Sequence, residues 1–254
     1  SYICYLMKKN IFLFILFLLN TVFIKSQFQN LGNFDEKPYH FGFALSINKS
    51  DYYLQKKSGY AFNNDSLQSL LVLAKPGFTL GVVSSLNINP NFKIRFVLPS
   101  LSFQERDIEY RYFDPSDNSQ ITYIKSLRPV YLDFPVLLKI RTDRIKNFAI
   151  YSIVGFRYGI DMSSNMDVNN SIDLEDQVIK INKTDYGLEI GGGIDLFLDY
   201  FKFGIELKLG YGMKNLHYIG TNQLDPNTLE PTKFDQPIES LRSKVWTVSF
   251  PIEG

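Results

Sequence analysis

The chain has 254 residues, enough for one barrel domain or two small domains. Its net charge of +1 offers nucleic acid no basic surface. Aromatic residues reach 15%, nearly all Tyr and Phe beside the single Trp246, a level that is normal where amphipathic rings line membrane interfaces. A mean hydropathy close to zero excludes a helical membrane protein, and two histidines with one cysteine leave little material for a metal centre.

The chain opens with a secretion-leader pattern. Lys8 and Lys9 follow Met7, apolar runs cover residues 11–19 and 21–24, and Ser26 precedes Gln27. This predicts a signal peptide over residues 7–26, cleaved near Ser26, and a barrel domain over residues 27–254. Residues 1–6 then lie upstream of the true start, and Cys4 lies outside the mature protein. The apolar run is short for a transmembrane helix, and an uncleaved anchor is the alternative. No cysteine follows the run to carry a lipid anchor. A cysteine-free mature chain is consistent with an oxidising envelope.

After a polar lead (27–38), a first strand is expected over 39–48, with Tyr39, Phe41, Phe43, Leu45 and Ile47 on one side. Residues 50–75 read as a long polar loop. A second strand over 77–88 ends at the tight turn Asn89-Pro90-Asn91. The third starts with Phe92, Ile94, Phe96 and Leu98, then changes phase after Pro99, which predicts a bulge. Residues 114–118 form a loop tip. The fourth strand covers 121–140, where Pro129 and Pro135 imply local bulges. A charged turn (142–147) leads to the fifth strand, 148–160, and then an acidic loop, 161–183.

Residues 184–215 carry the clearest pattern. Tyr186, Leu188, Ile190, Ile194, Leu196 and Leu198 share one face of a strand, and Phe201, Phe203, Ile205, Leu207, Leu209, Tyr211 and Met213 one face of the next. The opposite faces hold glycines and charges. These strands are about twice the usual five or six residues, and about 9–11 tilted residues are what a bilayer core requires. A two-residue turn at Asp199-Tyr200 pairs Leu198 with Phe201 and Leu196 with Phe203. It also sets Glu206 opposite Gly193 and Lys208 opposite Gly191. A long loop (216–240) precedes the eighth strand, 244–250, with Trp246, Val248 and Phe250 on one face.

The connections alternate long and short throughout. The reading is an all-β fold, an eight-stranded antiparallel up-and-down transmembrane β-barrel in the outer membrane. The even count puts both termini on the periplasmic side with the tight turns.

The run Val130-Tyr131-Leu132-Asp133-Phe134-Pro135-Val136-Leu137-Leu138-Lys139 resembles a proline-containing strand of small Bacteroidetes outer-membrane barrels. With the lead from Phe34 to Phe43 and the segment 187–195, it is most similar to the PorT (SprT) family. Asp133 stands where many relatives carry Glu. The resemblance implies a component required for type IX protein secretion, and in some species gliding motility, with other secretion components as partners and no catalytic site. It carries no residue of defined role.

The inward phase collects Lys93, Arg95, Asp133, Lys139, Arg157, Glu189, Asp195, Lys202, Glu206 and Lys208. These charges line a selective pore or form a plug of ion pairs. The plug is the stronger reading, because an eight-stranded lumen is only just wide enough for side chains. Asp161, Asp167, Asp173, Glu175 and Asp176 lack the compact glycine-centred spacing of a calcium loop and read as solvated surface. His40 and His217 are far apart in sequence. Gly191-Gly192-Gly193 lies mid-strand with no helix after it, so it is no phosphate cradle. No catalytic, cofactor-binding or metal-ligating residue is assigned, no cofactor is expected, and outer-membrane lipid is the expected surrounding. A passive channel or envelope-stability barrel is the alternative function. A membrane-embedded hydrolase or acyltransferase ranks last, because no polar set clusters near a rim.

Overall fold

The computed structural model describes residues 30–58, 67–168, 173, 175–220 and 231–254. The leader expected over residues 7–26 lies outside these. Ten strand segments occur among the described residues: β1 (Tyr39–Lys56), β2 (Leu67–Asn87), β3 (Phe92–Phe103), β4 (Arg106–Asp114), β5 (Ser119–Leu127), β6 (Val130–Arg141), β7 (Phe148–Asp161), β8 (Thr184–Phe197), β9 (Lys202–Gly212) and β10 (Ile238–Glu253). All pairings are antiparallel. β1 bonds to both β2 and β10, so the sheet closes through β1, β2, β3, β6, β7, β8, β9 and β10. The remaining pair, β4 and β5, continues β3 and β6 past the ring as a hairpin on the early half of β2, with Leu70 opposite Tyr110 and Val72 opposite Ile108. The barrel therefore has eight staves, two of them broken into two segments.

Alternation decides what each face meets. Phe41 (64%), Ile47 (61%) and Ile190 (60%) are exposed, whereas Arg95 (2%), Lys139 (1%) and Lys202 (1%) are buried. A water-soluble domain has the opposite distribution. Exposed apolar side chains on every stave form a band that suits hydrocarbon. Among the described residues no helix is long and apolar enough to cross a membrane; the strands do the crossing.

The β8–β9 hairpin has the register that its pattern implied. Leu196 faces Phe203, Ile190 faces Leu209, Gly193 faces Glu206 and Gly191 faces Lys208, with the Leu198 amide donating to the Phe201 carbonyl at 3.0 Å. In the β2–β3 turn, Asn89 Oδ1 accepts from the amides of Asn91 (2.9 Å) and Phe92 (2.7 Å).

The prolines fall where ladders lapse. β3 slips against β2 between Gly81 and Val83, and against β6 between Phe96 and Ser100, which is the bulge expected at Pro99. Pro135 faces that slip. Its pairing with Arg157 on β7 is unbroken, so β6 has no bulge on the β7 side. Pro129 lies in the gap between β5 and β6. A residue without an amide proton costs nothing where no ladder bond is required.

The long connections are less irregular than expected. β1 runs to Lys56 and β2 starts at Leu67, so 67–75 is strand where a polar loop was expected; β10 starts at Ile238. These extensions and the neighbouring loops bury an apolar core beyond the membrane band, including Leu70, Ile108, Tyr110, Ile181, Leu216 and Phe234. The Tyr110 hydroxyl donates to the Phe234 carbonyl at 2.7 Å. The apolar residues responsible are scattered through polar sequence, and only their meeting in space makes a core.

Candidate functional site: a lumen filled by ion pairs

Every charge expected to face inward does so, and they neutralise one another. In the middle, Arg95 bridges two strands, donating to Glu206 at 2.7 Å and to Glu253 at 3.0 Å. The Tyr151 hydroxyl donates to the same Glu206 at 2.8 Å. Towards the short turns, Lys139 donates to both oxygens of Asp195 (2.8 and 2.6 Å), and Lys202 pairs with Glu253 at 3.0 Å. Lys139 also lies 3.5 Å from the centroid of the Tyr151 ring. Towards the long connections, Arg157 donates to Asp133 (3.1 Å), Asp185 (2.6 Å) and Ser243 (3.2 Å). Lys208 reaches Glu189 at 3.5 Å.

Space is supplied by glycine. A Cβ on Gly193 would lie 2.7 Å from the Tyr151 hydroxyl, so the bare position lets the ring lie over β8 and reach Glu206 on β9. The residual cavity among these residues has a volume of about 40 Å³. That holds a few water molecules and gives no continuous path for a solute.

The end with the short turns has a separate stopper. Residues 30–37 fold back into the opening around a 3₁₀ turn, Phe34–Glu36. Phe34 is buried, stacks on His40 with ring centroids 3.6 Å apart, and meets Phe197 edge-on at 5.8 Å. Asp35 receives hydrogen bonds from Lys93 (2.9 Å) and from both terminal nitrogens of Arg141 (2.8 and 2.9 Å). Burial opposes ionisation of Asp35, but the bonds from Arg141 and Lys93 and their charges prevail, and its carboxyl falls to about 2. Asn30 is fastened to Asn147 and to the Phe197 carbonyl.

Six contributors were not singled out from the sequence: Asp35, Arg141, Tyr151, Asp185, Ser243 and Glu253. Asp185 and Glu253 carry a signal, since each continues the inward phase of its strand, and Glu253 lay beyond the expected strand end. Asp35 belongs to no strand, so alternation says nothing about it. His40 sits at the stopper, 3.1 Å from Asn87 Nδ2. His217 lies on the opposite side, 3.1 Å from Asp235. Among the described residues no group of three or more His, Cys, Asp or Glu gathers as metal ligands do.

A closed sheet, an apolar outer band and a solid polar interior define a membrane-spanning β-barrel of the outer-membrane type. The chain belongs to the outer membrane protein beta-barrel domain family, whose model matches residues 26–218, and its location is accordingly the outer membrane. No curated protein sequence matches it significantly. Solved structures similar to it include OprG from Pseudomonas aeruginosa (14% identity, 85% of this chain and 94% of that one, TM-score 0.40). The Neisserial surface protein A, NspA (9%, 84% and 96%, 0.38), and Ail of Yersinia pestis (9%, 86% and 100%, 0.34) are others. Likenesses this weak carry no argument about function.

Two outcomes follow. Arg95→Met removes the guanidinium shared by two buried carboxylates, leaving Glu253 to Lys202 and Glu206 to Tyr151, and is expected to cost about 3–5 kcal/mol, whereas Leu207→Met on the outer face costs under about 1.5 kcal/mol. Urea unfolding in lipid vesicles compares them. The stopper depends on Asp35 being ionised. Its folded pKa lies below the ordinary 3.8, so its contribution is present above pH 3.8 and is lost as pH falls through about 2. Asp35→Asn should therefore exchange the Phe34 and Glu36 amide protons at least about tenfold faster at neutral pH, the factor of one pKa unit, as read by hydrogen exchange.

Proposed function

We propose that this barrel is a non-enzymatic component required for type IX protein secretion, of the PorT kind, acting in assembly of the machinery or as a partner-binding barrel. Two features support the reading. The run from Val130 to Lys139 that resembles that family supplies Asp133 and Lys139 to the lumen network and Pro135 to the lapse in the β3–β6 ladder. The observation that carries most weight is the filled lumen. A lumen crossed by buried ion pairs, with a cavity of about 40 Å³ among them, does not suit the passage of a protein or a nutrient; what it offers the cell is its two rims. The passive-channel alternative needs a path that this interior does not provide.

In this reading residues 7–26 direct export and are removed, and both termini face the periplasm with the short turns. The stopper then presents a constrained periplasmic surface, and the apolar-cored extension presents one outside. Other secretion components dock on one or both.

Deleting the gene in its native host should stop export of type IX cargo and leave that cargo in the periplasm. Complementation by the intact gene should restore export. Unchanged cargo secretion in the deletion strain would remove the assignment.

A further inference from the structure

We propose that the outer face where β1 meets β10 binds a phosphorylated glycolipid of the outer leaflet. The apolar band ends at the same level on both strands. On β1 the outward side chains run Phe43, Leu45, Ile47 and then Lys49; on β10 they run Phe250, Val248, Trp246 and then Lys244 and Arg242. The register pairs Ile47 with Val248, Lys49 with Trp246, Asp51 with Lys244 and Tyr53 with Arg242. Three cations thus stack directly above the hydrocarbon boundary. Among the described residues none of the three has an ion-pair partner; Asp51, registered with Lys244, accepts from the Tyr52 amide at 2.8 Å, and Lys56 and Glu239 are exposed further from the band on the same strands. Lysine at such a boundary extends its ammonium to headgroup level, where an anion can neutralise it.

Immediately below lies a groove of about 440 Å³, lined by Ile47, Lys49, Ala74, Pro76, Trp246 and Val248. A groove on this face is bathed in hydrocarbon, so an acyl chain fills it. An apolar slot under a set of unneutralised cations is the imprint of an anionic amphiphile. A second groove of about 240 Å³ lies on the other side of Pro76, against Phe78, Phe103, Pro129 and Val130, with Arg128 at its edge. Arg128 is paired with Glu105 at 3.2 Å in an exposed position, a pair worth little in water. Two neighbouring acyl slots with cations spread from β10 to β6 fit a lipid with several chains and more than one phosphate better than a two-chain phospholipid. The site is on the side of the long connections, which face outward in such barrels. It rests on that orientation and is independent of the secretion role.

The test uses the full barrel purified from membranes. Diphosphoryl lipid A, dephosphorylated lipid A and dioleoylphosphatidylglycerol are each added, and bound lipid is counted by native mass spectrometry. Diphosphoryl lipid A should be retained at least tenfold better than either control. The triple variant Lys49→Gln, Arg242→Gln, Lys244→Gln should lose that preference while keeping the heat-modifiable gel mobility of a folded barrel. Ala74→Trp, which fills the groove and leaves all three cations, should lose it too, and it decides the matter if the triple variant does not fold. Equal retention of the three lipids, or preference intact in the folded variants, overturns the proposal.

Discussion

Hydrocarbon offers a peptide group no hydrogen-bond partner, so a sheet that crosses it must leave no edge unpaired. Here the obligation falls on the seam between the first and last strands, paired from Gly42 with Glu253 through Lys56 with Ile238. Closing on eight staves fixes the lumen at roughly the width of its own side chains. What points inward must then be mutually satisfied, because there is no room for bulk water to do it. Arg95 between Glu206 and Glu253, and Arg157 between Asp133 and Asp185, meet that requirement. Inside such a barrel each charge removed leaves buried partners under-compensated, which is the costly state. The network thus holds the staves in register as a set.

A solid interior moves function to the ends. At one end the Phe34–Glu36 turn is locked into the opening by an aromatic stack and by Asp35 against Lys93 and Arg141. At the other, the extended strands carry an apolar core past the membrane band, with Tyr110 and Phe234 in edge-on contact at 5.0 Å. Among the described residues both ends carry packed side chains, Phe34 against His40 and Phe197 at one and Tyr110 against Phe234 at the other.

How much of this was legible in the sequence follows from the physics of each part. The period-two pattern of 184–215 was sufficient for strand faces, turn and register, because a one-residue slip would send every lipid-facing side chain inward. Glu206 opposite Gly193 could be read directly, but the tyrosine that uses the gap could not: Tyr151 comes from a neighbouring strand. The inward charges were identifiable as a class, whereas their partners depend on barrel stagger. Pro135 looked like a defect until the slip in β3 placed it where no bond was needed. The extension beyond the membrane stayed hidden because the alternation of β2 changes phase between Leu73 and Pro76, and because Leu216 and Phe234 lie in stretches without period. Asp35 was invisible for a simpler reason: it precedes the first strand, and no pattern of faces reaches it.

The central claim is that even-numbered side chains of β8 face lipid while their odd-numbered neighbours are sealed inside. Single cysteines placed in turn at 186–197, with Cys4→Ser as background, can be spin-labelled in vesicles and tested for collision with oxygen and with a water-soluble nickel chelate. The account predicts strong oxygen contact at even positions and contact with neither reagent at odd ones. Nickel contact at the odd positions would mean an open aqueous pore, and loss of the alternation would mean that the strand does not lie in a membrane barrel; either result contradicts it.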